Sequence, residues 1–226
     1  MRLQKYLSSA GVCSRRKGEQ YIRQGRVQVN QRVVSELGAM VDPDTDLVQF
    51  DGQPVELENA QLYIALNKPE GFVSSCRQPG ERIVLDLIDI PQRLYPIGRL
   101  DKDSAGLLLL TNDGRLHHRL SHPSFDHDKE YVVTVDHTIS DEALRRLADG
   151  ITLSDGKTRP AQIKRIASNR FRITLKEGRN RQVRRMVGKL GRKVVKLKRV
   201  RVASIRLGKL PAGRWRHLSA NERRTL

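Results

Sequence analysis

No stretch of this chain approaches the length of an apolar membrane span, and its first residues, M-R-L-Q-K-Y-L-S-S-A, lack the apolar centre of a secretory signal. A membrane role is therefore not expected, and the expected location is the cytoplasm. Cysteine is scarce: Cys13 and Cys76 make neither a disulfide framework nor a metal-binding spacing. Four of the six histidines fall between His117 and His127, without accompanying cysteines or an H-E-x-x-H pattern, so surface or loop roles are expected and no metal. There is no Gly-rich nucleotide loop, which disfavours ATP or S-adenosylmethionine chemistry. Repeats and low-complexity tracts are also missing. The most telling shortage is of acid. Lys and Arg number 43 against 25 Asp and Glu, a formal charge of +18 over 226 residues. An excess of this size points to a polyanionic partner without distinguishing RNA from DNA or anionic lipid. From Lys164 to Arg201 sixteen Lys or Arg face one acid, Glu177, whereas a merely solvated face mixes both signs.

The first sixty residues read as a small helix-rich unit. Leu3, Tyr6, Leu7 and Ala10 have helical spacing, and Gly11 suits a helix end. Ser14 can cap a second helix, Arg15 to Gln24, closed by Gly25; Tyr21 and Ile22 turn inward and the cations Arg15, Arg16, Lys17 and Arg23 outward. R-V-Q-V-N is a short strand, and Leu47–Phe50, Asp51-Gly52 and Gln53–Val55 form a hairpin. Val55–Gln61 is polar and acidic and serves as a linker, with the domains expected at 1–58 and 59–226.

Beyond it, Leu62–Asn67 is a strand followed by the turn Lys68-Pro69-Glu70-Gly71, with Phe72–Ser75 as its return partner. Leu107–Leu110 is a buried strand that ends in an Asn112-Asp113-Gly114 turn. Just before it lies Gly98-Arg99-Leu100-Asp101. Taken alone, Asp101 is a loop carboxylate paired with Arg99 or Lys102; at the edge of a core strand in so basic a chain, the field would keep it ionised. Asp103 reads as solvated and Asp113 as a turn residue. Arg115–His122 reads as a short helix, Lys129–Val135 as an alternating strand, and Ser140–Gly150 as a capped helix. Gln162–Ile166 and Arg170–Leu175 are strands. Val183, Val187 and Leu190 share one face of a helix ended by Gly191, and Lys193–Val202 is a basic strand. Ile205–Leu207 and Trp215–Leu218 close the sheet, Trp215 as a core residue, before a short C-terminal helix over Ser219–Leu226. Many strands with few helices, not alternating units, make an α+β domain on a mainly antiparallel sheet.

Two resemblances organise these elements. M-R-L-Q-K-Y-L, S-R-R-K and I-R-Q-G-R-V-Q-V-N, over residues 1 to about 48, resemble the RNA-binding module named after ribosomal protein S-four. That likeness implies that Arg15, Arg16, Lys17, Arg23 and Arg26 hold RNA phosphates, contacts that position without reading sequence. G-R-L-D with S-A-G-L-L-L-L-T-N-D-G resembles the catalytic motif of the pseudouridine synthases, in the branch acting on bacterial ribosomal RNA. N-K-P-E-G-F-V-S-S, K-E-Y and E-G-R-N-R-Q-V-R-R-M resemble that family's first, second and third motifs. The resemblance implies an antiparallel mixed-sheet domain with a central cleft, the essential carboxylate at Asp101, a tyrosine against the base at Tyr131, and an arginine paired with the carboxylate at Arg184. By its sequence setting alone, Tyr131 is a half-buried strand tyrosine. Lys68-Pro69 has a structural role, and Arg99, Arg179, Arg181 and Arg185 contact RNA.

The implied reaction breaks the N-glycosidic bond of a uridine, turns the base and rejoins it through carbon. Nothing is oxidised, so no cofactor is expected. Asp101 would add covalently, stabilise a charged sugar or take a ribose proton, and the sequence does not choose among these. The expected partner is ribosomal RNA or a pre-ribosomal particle, with a lean to the large subunit, and the expected state is a monomer. Two competing readings stay open: a non-catalytic RNA-binding or ribosome-assembly protein on the same scaffold, and a DNA-binding protein.

Overall fold

The computed structural model describes residues 1–57, 60–121 and 126–226. The chain divides into two compact units. One is Met1–Gln61 with the short pieces Pro91–Arg93 and Asn112–Gly114; the other holds the remainder from Leu62 to Leu226.

In the first unit, helices α1 (Leu3–Ser9) and α2 (Arg15–Arg23) precede strands β1 (Val27–Val29), β2 (Arg32–Val33), β3 (Val48–Phe50) and β4 (Gln53–Pro54). Ser14 caps α2 by accepting from the Lys17 N–H. The strands form an antiparallel sheet in the order β2-β1-β3-β4. Asp51 and Gly52 both have positive φ, 50° and 78°, as the tight turn between β3 and β4 requires. Leu3, Leu7, Ile22, Val27 and Val48 make the core. The linker expected over Val55–Gln61 lies partly outside the described residues.

The second unit is built on a mixed sheet in the order β11-β12-β8-β13-β7-β5-β15. Its strands in chain order are β5 (Tyr63–Lys68), β6 (Tyr95–Ile97), β7 (Ala105–Thr111) and β8 (Lys129–Val135). A small hairpin, β9 (Thr152–Leu153) with β10 (Gly156–Lys157), stands apart. Then come β11 (Gln162–Ala167), β12 (Arg170–Leu175), β13 (Val194–Val202), β14 (Ile205–Arg206) and β15 (Trp215–His217). Helices α3 (Gly114–Ser121), α4 (Asp141–Asp149), α5 (Gln182–Gly188) and α6 (Ala220–Arg224) connect them; the expected end of α3 at His122 lies outside the described residues. The strand pairings are antiparallel except between β13 and β7. Phe72–Ser75 does not return along β5. That edge is taken by β15, and Val73 makes a parallel bridge to Ile83 instead.

The leucine run of β7 is buried on both faces, as a central strand should be. Leu108 and Leu110 join Ile64, Leu66 and Leu94 on one side, and Leu107 and Leu109 join Ala65, Ile97 and Ile205 on the other. A third cluster packs α4 and α5 on the β8-β12-β13 part of the sheet through Leu144, Leu147, Val183, Met186, Val133 and Phe171.

The parallel pairing holds only at Lys198–Ala105 and Arg199–Gly106. Further along, β7 takes β6 as its neighbour while β13 turns back on β14, so the sheet divides. Gly106 makes the last close approach possible. Its φ is 107°, and a Cβ there would sit 2.2 Å from the Arg199 carbonyl oxygen. The hairpin connection from β6 to β7, residues 98–104, runs over the opening and carries Asp101.

Candidate active site

The opening is a cavity of about 760 Å³ lined by the 97–101 segment, Tyr131 from β8, Leu197 and Arg199 from β13, and residues 175–183 leading into α5. Among the described residues its lining carries seven Lys or Arg against three Asp or Glu. Two of those acids are engaged: Asp126 by both guanidinium nitrogens of Arg159, and Glu177 by Arg179 at 3.1 Å and Gln182 at 2.6 Å. Asp101 is different. Among the described residues its carboxylate has one cationic neighbour within ion-pair range, Arg181 at 3.8 Å, beyond hydrogen-bond length. Asp101 and Tyr131 line the same cavity, and the Tyr131 hydroxyl has no hydrogen-bond partner among the described residues.

The backbone around Asp101 is held by buried side chains reaching from three directions. Ser74 Oγ donates to the Leu100 carbonyl at 2.8 Å and accepts from the Leu100 N–H at 3.1 Å. Lys68, fully buried, donates to the carbonyls of Pro69 at 3.0 Å, Asp101 at 3.0 Å and Ser104 at 2.7 Å. Burial lowers the Lys68 ammonium from its ordinary 10.5 to about 8, and the carboxylates of Glu70, Asp103 and Asp101 partly restore it. Arg199, 3 % exposed, donates through Nε to the Leu107 carbonyl at 2.8 Å and through Nη1 to the Arg99 carbonyl at 3.3 Å. Its Nη2 is buried with no hydrogen-bond partner, and no carboxylate pairs with Arg199, among the described residues.

Arg184 does not pair with Asp101. Its Nη2 donates to the Asp103 carbonyl at 2.6 Å and to Ser104 Oγ at 3.3 Å, Nη1 donates to the Val194 carbonyl, and Nε lies 3.3 Å from the Asp103 carboxylate without hydrogen-bond alignment. Arg184 thus stands behind the loop, two residues beyond the position expected. The direct guanidinium pair belongs to Asp103, which was expected to be solvated. Arg181 donates to both its oxygens, at 3.1 and 2.9 Å. That hydrogen-bonded pair, with Arg184 nearby, holds the Asp103 carboxyl below the usual range. Arg181 does this from a left-handed backbone, φ 47°, at the start of α5.

The residues expected on RNA also separate. Arg15, Arg16 and Arg23 are exposed and make no side-chain ion pair or hydrogen bond among the described residues; Lys17 lies over the Tyr21 ring at 4.9 Å. Arg26 is committed differently: it is bidentate on Asp51 and stacked on the rings of Tyr21 and Phe50 at 4.4 and 4.8 Å. Arg99 is exposed at the cavity. Arg179 donates to the carbonyls of Asp155, Gly156 and Lys157, and Arg185 to Asp155 and Ser154, so both brace the β9–β10 hairpin. Sequence reading missed Ser74 and Arg199 as holders of the loop. The period-2 pattern that buries Leu197 also points Arg199 inward, and that signal was available.

Residues 62–189 match the RNA pseudouridylate synthase family, and residues 1–47 match the S4 domain. The chain belongs to the RNA pseudouridylate synthase family. It is 45% identical over 229 residues to the ribosomal large subunit pseudouridine synthase B of Bacillus subtilis, covering 98% of this chain and 93% of that one. It is 42% identical over 224 residues to the dual-specificity RNA pseudouridine synthase RluF of Escherichia coli K12, covering 98% of this chain and 77% of that one. A crystal structure of a pseudouridylate synthase superposes with a TM-score of 0.74 at 30% identity, over 100% of this chain and 99% of that one. The protein is therefore an RNA pseudouridine synthase with an N-terminal S4 domain, and its fold is the mixed α+β architecture of that family. No helix among the described residues is long and apolar enough to cross a membrane.

Proposed function

We propose that the synthase isomerises a uridine of ribosomal RNA, in the large subunit, and that Asp101 is the carboxylate that does so. The observation carrying this reading is the cavity at the division of the sheet, which Asp101 and Tyr131 both line and where the backbone of residues 99–101 is held by Lys68, Ser74 and Arg199. The similarity to a large-subunit synthase supports the choice of RNA.

The reaction cleaves the bond from ribose C1′ to uracil N1 and forms one from C1′ to C5. The C5 proton leaves, N1 gains one, and no electrons are exchanged with a partner. An ionised carboxylate beside C1′ serves each available route: addition to the sugar, stabilisation of its positive charge, or removal of a ribose proton. Tyr131 offers a flat face for the uracil and a free hydroxyl for the closing proton transfer. Arg184 acts as a positioning residue, through the Asp103 carbonyl and Ser104, and Arg181 supplies the cation nearest Asp101. The target nucleotide leaves its stack first, at a cost of about a few kcal/mol. Arg15, Arg16, Lys17 and Arg23 of the S4 domain hold phosphates meanwhile, while Arg99 meets RNA at the cavity mouth. The protein works in the cytoplasm as a monomer.

Asp101→Asn tests the assignment. The variant should form no pseudouridine, read by carbodiimide-blocked reverse transcription of ribosomal RNA, while binding that RNA within about three-fold of wild type. Pseudouridine formed by the Asn variant would remove Asp101 from the mechanism.

A further inference from the structure

The sheet has a second face, and the cavity does not use it. Tyr131, Ile173, Leu197 and Arg199 point to the cavity and the α5 side; the residues alternating with them point the other way. Register aligns Lys164, Arg172, Val132 and Lys198 in one row across β11, β12, β8 and β13. In the next row, Arg170, Thr134 and Lys196 are neighbours across three strands. Cross-strand neighbours share a face, and a row of four strands spans about 14 Å. All five cations are exposed, and Val132 and Thr134 at the centre are half-buried.

Most of the charge on this face is uncompensated among the described residues. Lys164, Arg170, Lys196 and Lys198 make no side-chain hydrogen bond or ion pair among the described residues. Two acids beside this face are already taken up: Glu130 is buried between Arg172 at 2.9 Å and Arg201 at 3.0 Å, and Asp128 lies 3.4 Å from Arg201. Like charges on adjacent strands repel, so a protein using this face only for solubility would intersperse acids. Aromatic side chains are absent from the face as well. A platform for stacked single-stranded bases needs them, whereas contact with the phosphates of a helical RNA does not.

We propose that this sheet face, opposite the cavity, is a second RNA-docking surface that grips the phosphate backbone of a helical RNA segment through Lys164, Arg170, Lys196 and Lys198. It rests on the reading that RNA is the partner, and adds a contact surface separate from both the S4 domain and the catalytic cavity. The contacts are independent of sequence and serve to anchor a large, folded substrate.

The test is a full-length variant with all four replaced by Gln, against a control with Arg145, Arg146, Lys189 and Lys209 replaced by Gln, which removes the same charge elsewhere. Unfolding midpoints confirm that both fold. Binding of a labelled RNA duplex of arbitrary sequence is measured over a fourfold range of potassium chloride. Four lost phosphate contacts should reduce the slope of log affinity against log salt by about 3 to 4, so wild-type affinity should fall about a hundred-fold more over that range than the variant's. An unchanged slope, or an equal drop in the control, would overturn the proposal. So would a face that binds phosphatidylserine vesicles and not the duplex. Pseudouridine formation, measured separately with wild type, decides the catalytic reading; loss of duplex binding in the variant stands or falls without it.

Discussion

Lys68→Met probes how the Asp101 loop is held. The substitution keeps an unbranched aliphatic side chain and removes the ammonium. It leaves the carbonyls of Pro69 and Ser104 without that donor, while the Asp101 carbonyl loses one of two donors and keeps the Ser104 N–H. Each buried carbonyl orphaned in this way costs about 1–3 kcal/mol. Against that stands relief from burying a cation. Lowering its proton affinity from 10.5 to about 8 corresponds to roughly 3 kcal/mol. Two orphaned carbonyls and the lost bond to a third slightly exceed the relief, and we expect a net destabilisation of about 1 kcal/mol at neutral pH. The pH dependence is the sharper signature. Because the folded value lies below the unfolded one, the unfolded chain binds more protons between pH 8 and pH 10.5, and wild type gains stability across that window. The methionine variant lacks this gain. The gap between the two proteins should therefore widen by about 2–3 kcal/mol from pH 7 to pH 10. Urea unfolding followed by the single tryptophan, Trp215, measures it. Turnover should fall by up to about a hundred-fold, as expected when a reactive group is displaced by about 1 Å, with RNA affinity unchanged. A gap that stays constant with pH would refute the picture of a desolvated cation. A variant with normal kcat and a raised KM would show that Lys68 binds RNA and does not hold the loop.

Gly106→Ala should destabilise the protein by more than about 3 kcal/mol, because the new Cβ meets backbone atoms of Arg199 that cannot rotate away. Gly188→Ala, at an open site in α5, should be neutral or slightly stabilising, and equal urea midpoints for the two variants would refute the close-approach argument. Replacing Arg15, Arg16, Lys17 and Arg23 together by Gln should lower the salt slope of RNA binding by about 3 to 4 and leave kcat at saturating RNA unchanged; an unchanged slope would remove α2 from the RNA contact.

The strands were legible because their physics is local. Alternation over Lys129–Val135, the leucine run of β7 and the Asp51-Gly52 turn each follow from side-chain periodicity or a required dihedral, and each is in place. Helix caps at Ser14 and Ser140 were legible for the same reason. What the sequence concealed is partner choice among many similar cations. Phe72–Ser75 reads as a returning strand, yet β15, nearly 150 residues away in the chain, competes for the same edge and takes it. Arg179, Arg181, Arg184 and Arg185 fall within one short run, and residue type does not say which reaches a carboxylate and which a carbonyl. Arg181, in the middle of that run, takes a left-handed backbone that residue type does not announce.

The sorting of these cations among their partners bears on the chemistry. A carboxylate caught in a bidentate guanidinium pair is ionised but spent: both oxygens are occupied, and little charge is left for a sugar carbon. In this site the pair is absorbed by Asp103, while Asp101 keeps its oxygens clear of any hydrogen-bonded cation. The strong cations nearby, Lys68, Arg184 and Arg199, bind main-chain carbonyls of the 99–104 segment, groups that take no part in proton transfer. A loop can be fixed this way by positive charge without neutralising the one group it presents. The cost is a set of buried cations lacking full partners, and the orphaned Nη2 of Arg199 is where that cost is visible. Given the proposed role of Asp101, placement of the cations on the backbone, and not on that carboxylate, would let one loop be both rigid and reactive.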